Sequence, residues 1–335
     1  APFPLACSIG PNKAGLRRVP LLSSAPDSRI IGVPEVSAME QPVYSVADDR
    51  GIVAVSGDDR FSFLQGLVTN DVRGVSPERV VYAALLTPQG KYLHDFFVAA
   101  IGDSLYLDCE AARRDDLRRR LSLYRLRAKV TLADATADLA VASMVGSDVA
   151  SRLGLPSGPG SAKPWEGGIV YVDPRLADLG IRAILPRASL AGTLDRFGLA
   201  PAGPRDFDRL RLALGVPDGS RDLPVEKAIL LENGFDELHG IDWEKGCYMG
   251  QELTARTKYR GLVRKRLLPV SIDGPVPAAG SPIMLGNKEA GEMRSGAEGC
   301  GLALLRLESL EGLQAGALTC GDSRLTPHKP AWARF

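Results

Sequence analysis

Two apolar segments joined by a tight turn constrain the fold of this chain more than any other feature. The segments VVYAALL (80–86) and KYLHDFFVA (91–99) flank the turn TPQG (87–90). Proline presets the dihedral angle of the second turn position, and glycine accepts the positive φ that such a turn needs. The pattern predicts a β-hairpin, and with it an antiparallel pair of strands.

Other strands and helices follow on both sides of the hairpin. GIVAVSG (51–57) predicts a strand, and Asp58 or Asp59 caps a helix in which Phe61 and Leu64 recur at helical spacing. The order of strands and helices is typical of an α+β fold with an antiparallel or mixed sheet. Further strands are predicted at 104–109, 169–173 and 180–186, and further helices at 189–197 and 204–214.

Three other segments complete the predicted organisation. Residues 154–168 (GLPSGPGSAKPWEGG) predict a long loop or subdomain edge, since their glycines match neither a P-loop nor a dinucleotide fingerprint. Beyond residue 266, turn signals every eight to twelve residues predict a small all-β barrel or sandwich. The helix around Leu117 and Leu121 carries many arginines, but Asp115 and Asp116 are interleaved, so a solvated face is predicted there rather than a nucleic-acid stripe.

Composition narrows the class of protein. The chain has 335 residues, 45% apolar and 24% charged, enough for two or three packed domains of a soluble globular protein. No apolar run approaches the length of a membrane span, so no membrane partner is expected. Five cysteines without metal-site spacing indicate a reducing compartment, with the cytoplasm as default. Residues 1–38 are either a transit-like leader or an accessory segment without chemistry.

The most chemically suggestive stretch is KGCYMGQE (245–252). Cys247 lies in a glycine-flanked turn before a predicted helix, where unpaired backbone N–H groups and Lys245 favour the thiolate. The alternative is that Cys247 is a buried small hydrophobe, as most lone cysteines are. Seven lysines or arginines lie between 245 and 266, in a chain of net charge +1. This local charge indicates an anionic partner, although a basic run is more often a solvated face.

This octet, with Arg256 after it and with FLQGLVTNDV (63–72) and TPQGKYLHDFFV (87–98) before it, resembles the YgfZ-type folate-binding proteins. These belong to the aminomethyltransferase (glycine-cleavage T-protein) superfamily. The resemblance implies three domains around a central cleft that binds tetrahydrofolate or a derivative. It divides the chain into an extension (1–42), a discontinuous folate-binding domain (43–145 and 204–265), an inserted α/β subdomain (146–203) and a C-terminal β-barrel (266–335).

The resemblance also implies a set of folate contacts, with two departures from the aminomethyltransferase pattern. The segment RLALGVP (211–217) carries Ala213 where the T-protein helix has a glutamate that holds the pterin, and His94-Asp95 replaces a pair of aspartates. Folate binding is therefore expected, whereas efficient aminomethyl transfer is not. The implied contacts are Asn70, His94, Asp95, Arg211, Tyr248, Gln251 and Arg256.

The function implied by the resemblance is an accessory role in assembly or repair of iron–sulfur clusters, which supports tRNA-modifying and other client enzymes. Cys247 would be the reactive thiolate and a transient ligand of iron or of a cluster, and Lys245 would tune its charge. Carrier proteins and client enzymes would be the partners, without direct nucleic-acid binding. The rival hypotheses are a tetrahydrofolate-dependent aminomethyltransferase and an RNA-binding module that uses the basic run 256–266.

Overall fold

The computed structural model describes residues 41–261 and 263–335 of the chain. Strands and helices alternate irregularly along the described residues and form two open sheets and a closed barrel. The strands are β1 (Val43–Val46), β2 (Arg50–Ser56), β3 (Val81–Leu86), β4 (Tyr92–Ile101), β5 (Ser104–Glu110), β6 (Thr131–Asp134), β7 (Leu139–Val145), β8 (Ala162–Trp165), β9 (Gly168–Val172), β10 (Ile181–Pro186), β11 (Ala200–Pro201), β12 (Lys265–Asp273), β13 (Pro282–Leu285), β14 (Lys288–Ala297), β15 (Cys300–Arg306), β16 (Leu318–Cys320) and β17 (Ser323–Pro327). The helices are α1 (Arg60–Gln65), α2 (Arg114–Leu123), α3 (Val149–Leu153), α4 (Leu190–Arg196), α5 (Pro204–Leu214), α6 (Gly219–Asp222) and α7 (Gln251–Tyr259).

The first sheet has the strand order β3-β4-β5-β2-β6 and is antiparallel throughout. The predicted hairpin is confirmed, because β3 pairs with β4 across residues 87–90 with Val81 opposite Val98. One face of the sheet packs against α1 and α2, with Leu64 and Leu117 fully buried between them. The other face carries Tyr82 and Phe97 in a second apolar core shared with the second sheet.

The second sheet has the order β11-β1-β7-β10-β9-β8, antiparallel except for the parallel pair of β1 and β11. It combines β1 and β7, from the segment assigned to the folate-binding domain, with the strands of 146–203; the division into domains stays a prediction. The interpretation of 154–168 as a loop is wrong for Ala162–Trp165, which pairs with β9. Pro164 is tolerated because β8 lies at the sheet edge, where no second neighbour needs its missing N–H.

The C-terminal part is a closed barrel with the order β12-β15-β14-β13-β16-β17, which confirms the predicted barrel. Its core is apolar, with Leu268, Met293 and Leu325 fully buried. The chain end returns to the rest of the molecule, where the Trp332 indole N–H donates to the Leu214 carbonyl at 2.7 Å. Within residues 41–261 and 263–335, we find no helix with the length and apolarity that a membrane crossing requires.

Candidate functional site

Cys247 is exposed in the loop between α6 and α7, four residues before the first residue of α7. Gly246 and Gly250 on either side of it have φ angles of +92° and +81°, so the loop turns sharply at both ends. The other three cysteines of the described chain are buried, and burial raises the pKa of Cys109 to about 12 and that of Cys300 and Cys320 above the usual value. Among the cysteines of the described residues, Cys247 is thus the one whose sulfur a partner can reach.

Backbone contacts hold this loop against the first sheet. The Met249 N–H donates to the Gly66 carbonyl at 3.1 Å, which ties the loop to the end of α1. The Gln251 side chain accepts from the Tyr248 N–H at 3.2 Å, and so caps the turn that leads into α7. Tyr248 is itself buried, and burial raises the pKa of its phenol to about 12. The exposed sulfur therefore stands on an anchored loop.

Lys245 takes part in the same anchoring. Its side chain is buried, and its Nζ donates to the Val68 carbonyl and, at 2.7 Å, to the Asn70 carbonyl. Burial lowers the pKa of Lys245 to about 8, and the Asp71 carboxylate partly opposes this shift. The ammonium thus binds the segment after α1, and the structure gives it no contact with the Cys247 sulfur.

The basic run after Cys247 does not form one continuous stripe. Arg256 donates to Glu252 one helical turn earlier, at 2.5 Å. The Lys258 ammonium lies 3.7 Å from the centre of the Trp243 ring. Arg266 is an inward-facing ion-pair partner of Glu237 at 2.7 Å. These three cations are directed at groups of the chain itself, whereas Arg260 and Arg264 are exposed.

Two of the expected folate contacts, Asn70 and Asp95, already have partners within the protein. The Asn70 Nδ2 donates to the carbonyls of Tyr82 and His239, both at 2.7 Å. Asp95 is buried and accepts from the Tyr82 hydroxyl at 2.8 Å and from the Tyr92 hydroxyl at 2.6 Å. Both side chains brace the hairpin from the side of the second apolar core.

His94 points away from Asp95, because neighbouring residues of a strand face opposite sides of a sheet. Its Nε2 lies 2.9 Å from an Asp116 oxygen on α2. Burial, together with the nearby Arg113 charge, lowers the pKa of His94 to about 4. The imidazole is therefore neutral at physiological pH, and the His94-Asp95 pair cannot act jointly on one ligand.

A cavity of about 260 Å³ lies between the two sheets and α5. Six arginines and four aspartates line it, and the buried Asp108 and Asp222 behind the lining bring the aspartates to six, so these twelve side chains balance in charge. The arginines come from distant parts of the chain, and the sequence analysis missed the cluster apart from Arg211. They are Arg50, Arg175, Arg182, Arg205, Arg211 and Arg221.

Asp108 anchors the inner wall of this cavity. It is fully buried and accepts from Arg50 Nε at 2.7 Å and from Arg182 Nη2 at 2.8 Å. Burial alone would raise the pKa of Asp108, but the two guanidinium groups hold it below its usual range. The guanidinium carbons of Arg175 and Arg182 also lie 4.9 and 4.5 Å from the centre of the Phe97 ring. One signal was available in the sequence: a charged residue inside each of the apolar strands β5 and β10, Asp108 and Arg182.

Arg211 is the one expected folate contact that lines the cavity. Its guanidinium bonds to Asp208 and Asp222, both at 2.7 Å, and to the Ser295 hydroxyl at 3.0 Å. Arg205 lines the cavity and is exposed, so its guanidinium fits a carboxylate of a folate tail, and Phe97 and Phe207 add apolar lining. No carboxylate of the expected contact set is free to hold a pterin, since Asp95 serves two tyrosines. The described residues thus fit the anionic tail of a folate better than its ring.

A resident metal site is not formed by the described residues. Over 41–261 and 263–335, no three His, Cys, Asp or Glu side chains come together as a metal site would require. Cys247 is not among the residues that line the arginine cavity. The exposed sulfur and the arginine cavity are therefore separate features of the molecule.

Comparison with known proteins gives the family. Residues 47–153 match the GCVT N-terminal domain, and residues 264–335 match the CAF17 C-terminal beta-barrel domain. The fold resembles the glycine cleavage system aminomethyltransferase T from Bartonella henselae, with a TM-score of 0.70 and 15% identity over 88% of this chain and 86% of that one. The expected aminomethyltransferase-like fold with a C-terminal barrel is confirmed.

Comparison with proteins of similar sequence identifies the family more narrowly. The mitochondrial iron-sulfur cluster assembly factor IBA57 of Mus musculus is 34% identical over 300 residues, which cover 79% of this chain and 78% of the relative. The Homo sapiens protein of the same name is 33% identical, covering 79% and 78%, and the Mycosarcoma maydis homolog is 33% identical, covering 78% and 73%. These relatives are IBA57 proteins rather than YgfZ-type proteins. The chain therefore belongs to the IBA57 family of iron–sulfur cluster assembly factors.

Proposed function

We propose that this chain works in iron–sulfur cluster assembly or repair, and that Cys247 contacts the cluster, an iron ion or a persulfide while it passes between partner proteins. The observation that carries the proposal is the exposure of Cys247 on an anchored loop, in contrast to the burial of Cys109, Cys300 and Cys320. A thiol that must meet cargo held by another protein needs such a position.

The number of cysteine ligands that the chain can supply decides whether it holds a cluster by itself. A cluster is usually held by four thiolates, and Cys247 supplies one. The cluster is therefore cargo, and a carrier protein or client enzyme provides the remaining ligands. Such partners follow from the chemistry and agree with the names of the relatives above, which are iron–sulfur cluster assembly factors. Client enzymes would include tRNA-modifying iron–sulfur enzymes.

A reduced folate is the ligand class we propose for the arginine cavity. The arginines would hold the carboxylates of its tail, and bound folate would supply a one-carbon carrier. Aminomethyl transfer itself is disfavoured, because Ala213 stands where the transferases have an acid and Asp95 is committed to Tyr82 and Tyr92. Folate binding can be measured by titration of a reduced folate against Arg205→Glu, with Arg324→Glu on the barrel as a matched control. Equal affinity of both variants for folate would show that the cavity does not bind folate.

The compartment we propose is a reducing one. The named relatives are mitochondrial. If residues 1–38 act as a transit peptide, the chain works in the mitochondrial matrix, and otherwise in the cytoplasm. Both compartments keep an exposed thiol reduced.

The test of the thiol replaces Cys247 by Ser and by Ala in cells depleted of the native protein. We expect both variants to fold as the wild type does and to fail to restore the activity of iron–sulfur enzymes, including modification of tRNA. Cys320→Ala, which removes a buried sulfur in the barrel, should restore it. Full rescue by both Cys247 variants would show that the sulfur takes no part.

A further inference from the structure

The C-terminal end of α2 and the turn after it expose apolar side chains that do not pack inside the molecule. Leu123 is 65% exposed, Tyr124 39% and Leu126 89%. Single exposed apolar residues are common, but three within four positions form a patch, and such patches mark interaction sites. Residues 122–127 (SLYRLR) are all exposed, and we call them the SLYRLR segment.

The backbone of the SLYRLR segment is also strained. Leu126 has φ +44°, in the left-handed region that leucine rarely adopts. Its side chain reaches into solvent, so no packing inside the molecule offsets a cost on the order of 1 kcal/mol or more. Glycine or asparagine would serve the turn better. The combination of strain and exposure indicates that the leucine side chain is kept for a purpose outside the fold.

A recess opens beside the SLYRLR segment. This cavity of about 440 Å³ is bounded by Leu123 and Tyr124, by the turn 87–89 and by Met249. Leu85 and Leu93 lie behind its lining, where both are buried. Met249 is two residues from Cys247, which corresponds to roughly 7 Å of extended chain. An apolar side chain that entered the recess would lie next to the loop that presents the sulfur.

The recess is lined by Lys91, Arg120 and Glu226, and Arg120 pairs with Glu226 at 3.3 Å. The positive charge of this surface comes from the exposed segment beside the recess. Between residues 117 and 133 the sequence has six arginines or lysines and no acid. Arg118, Arg119 and Arg120 pair with Asp115 or Asp116 at the start of α2. Arg125 and Arg127 are exposed in the SLYRLR segment itself. A surface of this charge attracts an acidic partner and steers its approach.

We propose that the SLYRLR segment and the adjoining recess are the docking surface for an acidic iron–sulfur carrier protein, which inserts an apolar side chain beside Met249 and so brings its cluster to Cys247. The identity of the partner rests on the proposed function. A protein fits better than a membrane, because a flat bilayer would leave the recess unfilled. It fits better than a nucleic acid, because the centre of the surface is aliphatic.

The decisive variant is Leu126→Gly in the full chain, tested against a purified acidic iron–sulfur carrier in its apo and cluster-loaded forms. Glycine relieves the positive φ, so the unfolding temperature should stay equal or rise. Affinity for both forms of the carrier should fall by about tenfold or more, as for an apolar anchor at the centre of an interface. Val276→Gly, which removes an exposed apolar residue from the barrel, should bind like the wild type. Wild-type affinity of Leu126→Gly would overturn the proposal.

A second variant separates charge from apolar contact. Arg125→Glu combined with Arg127→Glu should slow association with the carrier, and added salt should slow wild-type association in the same direction. Arg324→Glu on the barrel is the matched control. The contrary result is that the two reversals leave carrier binding intact and abolish either binding to anionic vesicles or self-association in sedimentation. In that case the surface serves another partner and the proposal fails.

Cys247→Ser distinguishes this inference from the proposed function. This variant should bind the apo carrier with wild-type affinity, but it should not receive the cluster from the loaded carrier. Docking and cluster ligation use different residues. Apo-carrier binding that is insensitive to Leu126→Gly overturns the docking surface alone. Wild-type protein that binds neither form of the carrier overturns the partner in both proposals.

Discussion

Gly90, in the hairpin turn, and Gly250, at the end of the Cys247 loop, pack against each other backbone to backbone. A Cβ on Gly250 would stand 3.0 Å from the Gly90 Cα and 2.5 Å from the Thr87 carbonyl oxygen. A Cβ on Gly90 would stand 2.7 Å from the Gly250 carbonyl oxygen. This contact joins two of the three sequence segments that carry the family resemblance, 87–98 and 245–252, and it sets where the sulfur is presented.

Gly250→Ala should therefore lower the free energy of unfolding by at least about 2 kcal/mol, since it adds a steric clash to an unfavourable positive φ. It should also reduce cluster transfer, because the loop must shift. Gly246→Ala is the matched control: its φ is also positive, but a Cβ there meets nothing within 4 Å. Denaturant unfolding of both variants measures the difference, and equal losses would show that the contact with the turn is unimportant.

Lys245→Met should abolish the pH dependence that this buried ammonium gives to the free energy of unfolding, because methionine carries no titratable group at the same position. The pKa of Lys245 is about 8 in the folded protein and 10.5 in an unfolded chain. Between these values the unfolded state binds more protons, so wild-type stability should rise with pH from about 8 to 10.5. Urea unfolding of the wild type and the variant at pH 7 and pH 10 measures this dependence. A rise in stability of the same size in the variant would show that another group causes it.

His94 should make the protein sensitive to mild acid. Its pKa is about 4 when folded, against an ordinary value of 6.5, so the unfolded state takes up the proton first as pH falls. Stability should therefore drop between pH 6.5 and 4, by up to about 3 kcal/mol from this group. His94→Gln should remove most of that slope in unfolding experiments, while His239→Asn, at an exposed position, should keep it. An unchanged slope in His94→Gln would contradict the assignment.

Asp108→Asn should be among the most destabilising single changes. It leaves Arg50 and Arg182, whose side chains are 9% and 10% exposed, without their shared counter-charge. Removal of one member of a buried ionic group costs about 3–5 kcal/mol. Asp115→Asn, in an exposed pair with a side chain 68% exposed, should change stability by less than about 0.5 kcal/mol. Thermal unfolding of the two variants provides the comparison.

Local signals in the sequence predicted most of the architecture. The TPQG turn gave the hairpin, and Pro204 and Gly215 gave the first residue of α5 and the glycine after its last residue. The strand Ala162–Trp165 was missed because Pro164 and the surrounding glycines are usual in loops. Such residues are compatible with a strand only at a sheet edge, and edge position depends on distant pairing.

The site was harder to predict because spacing along the chain does not tell which face of a sheet a side chain occupies. His94 and Asp95 are neighbours in sequence but serve opposite faces, and Asn70 and Asp95 are consumed by internal hydrogen bonds. The arginine cavity draws on residues from Arg50 to Arg221, brought together only by the packing of both sheets on α5. The exposure of Cys247 was anticipated because glycines on both sides favour a turn at the surface.

The burial of Cys109, Cys300 and Cys320 has a practical consequence for handling the protein. These three sulfurs lie in separate buried clusters and cannot join one another or reach Cys247 without unfolding, so a disulfide formed by the described part joins the Cys247 side chains of two molecules. Samples kept without reductant should accumulate such covalent pairs, and a thiol reagent should return them to single chains.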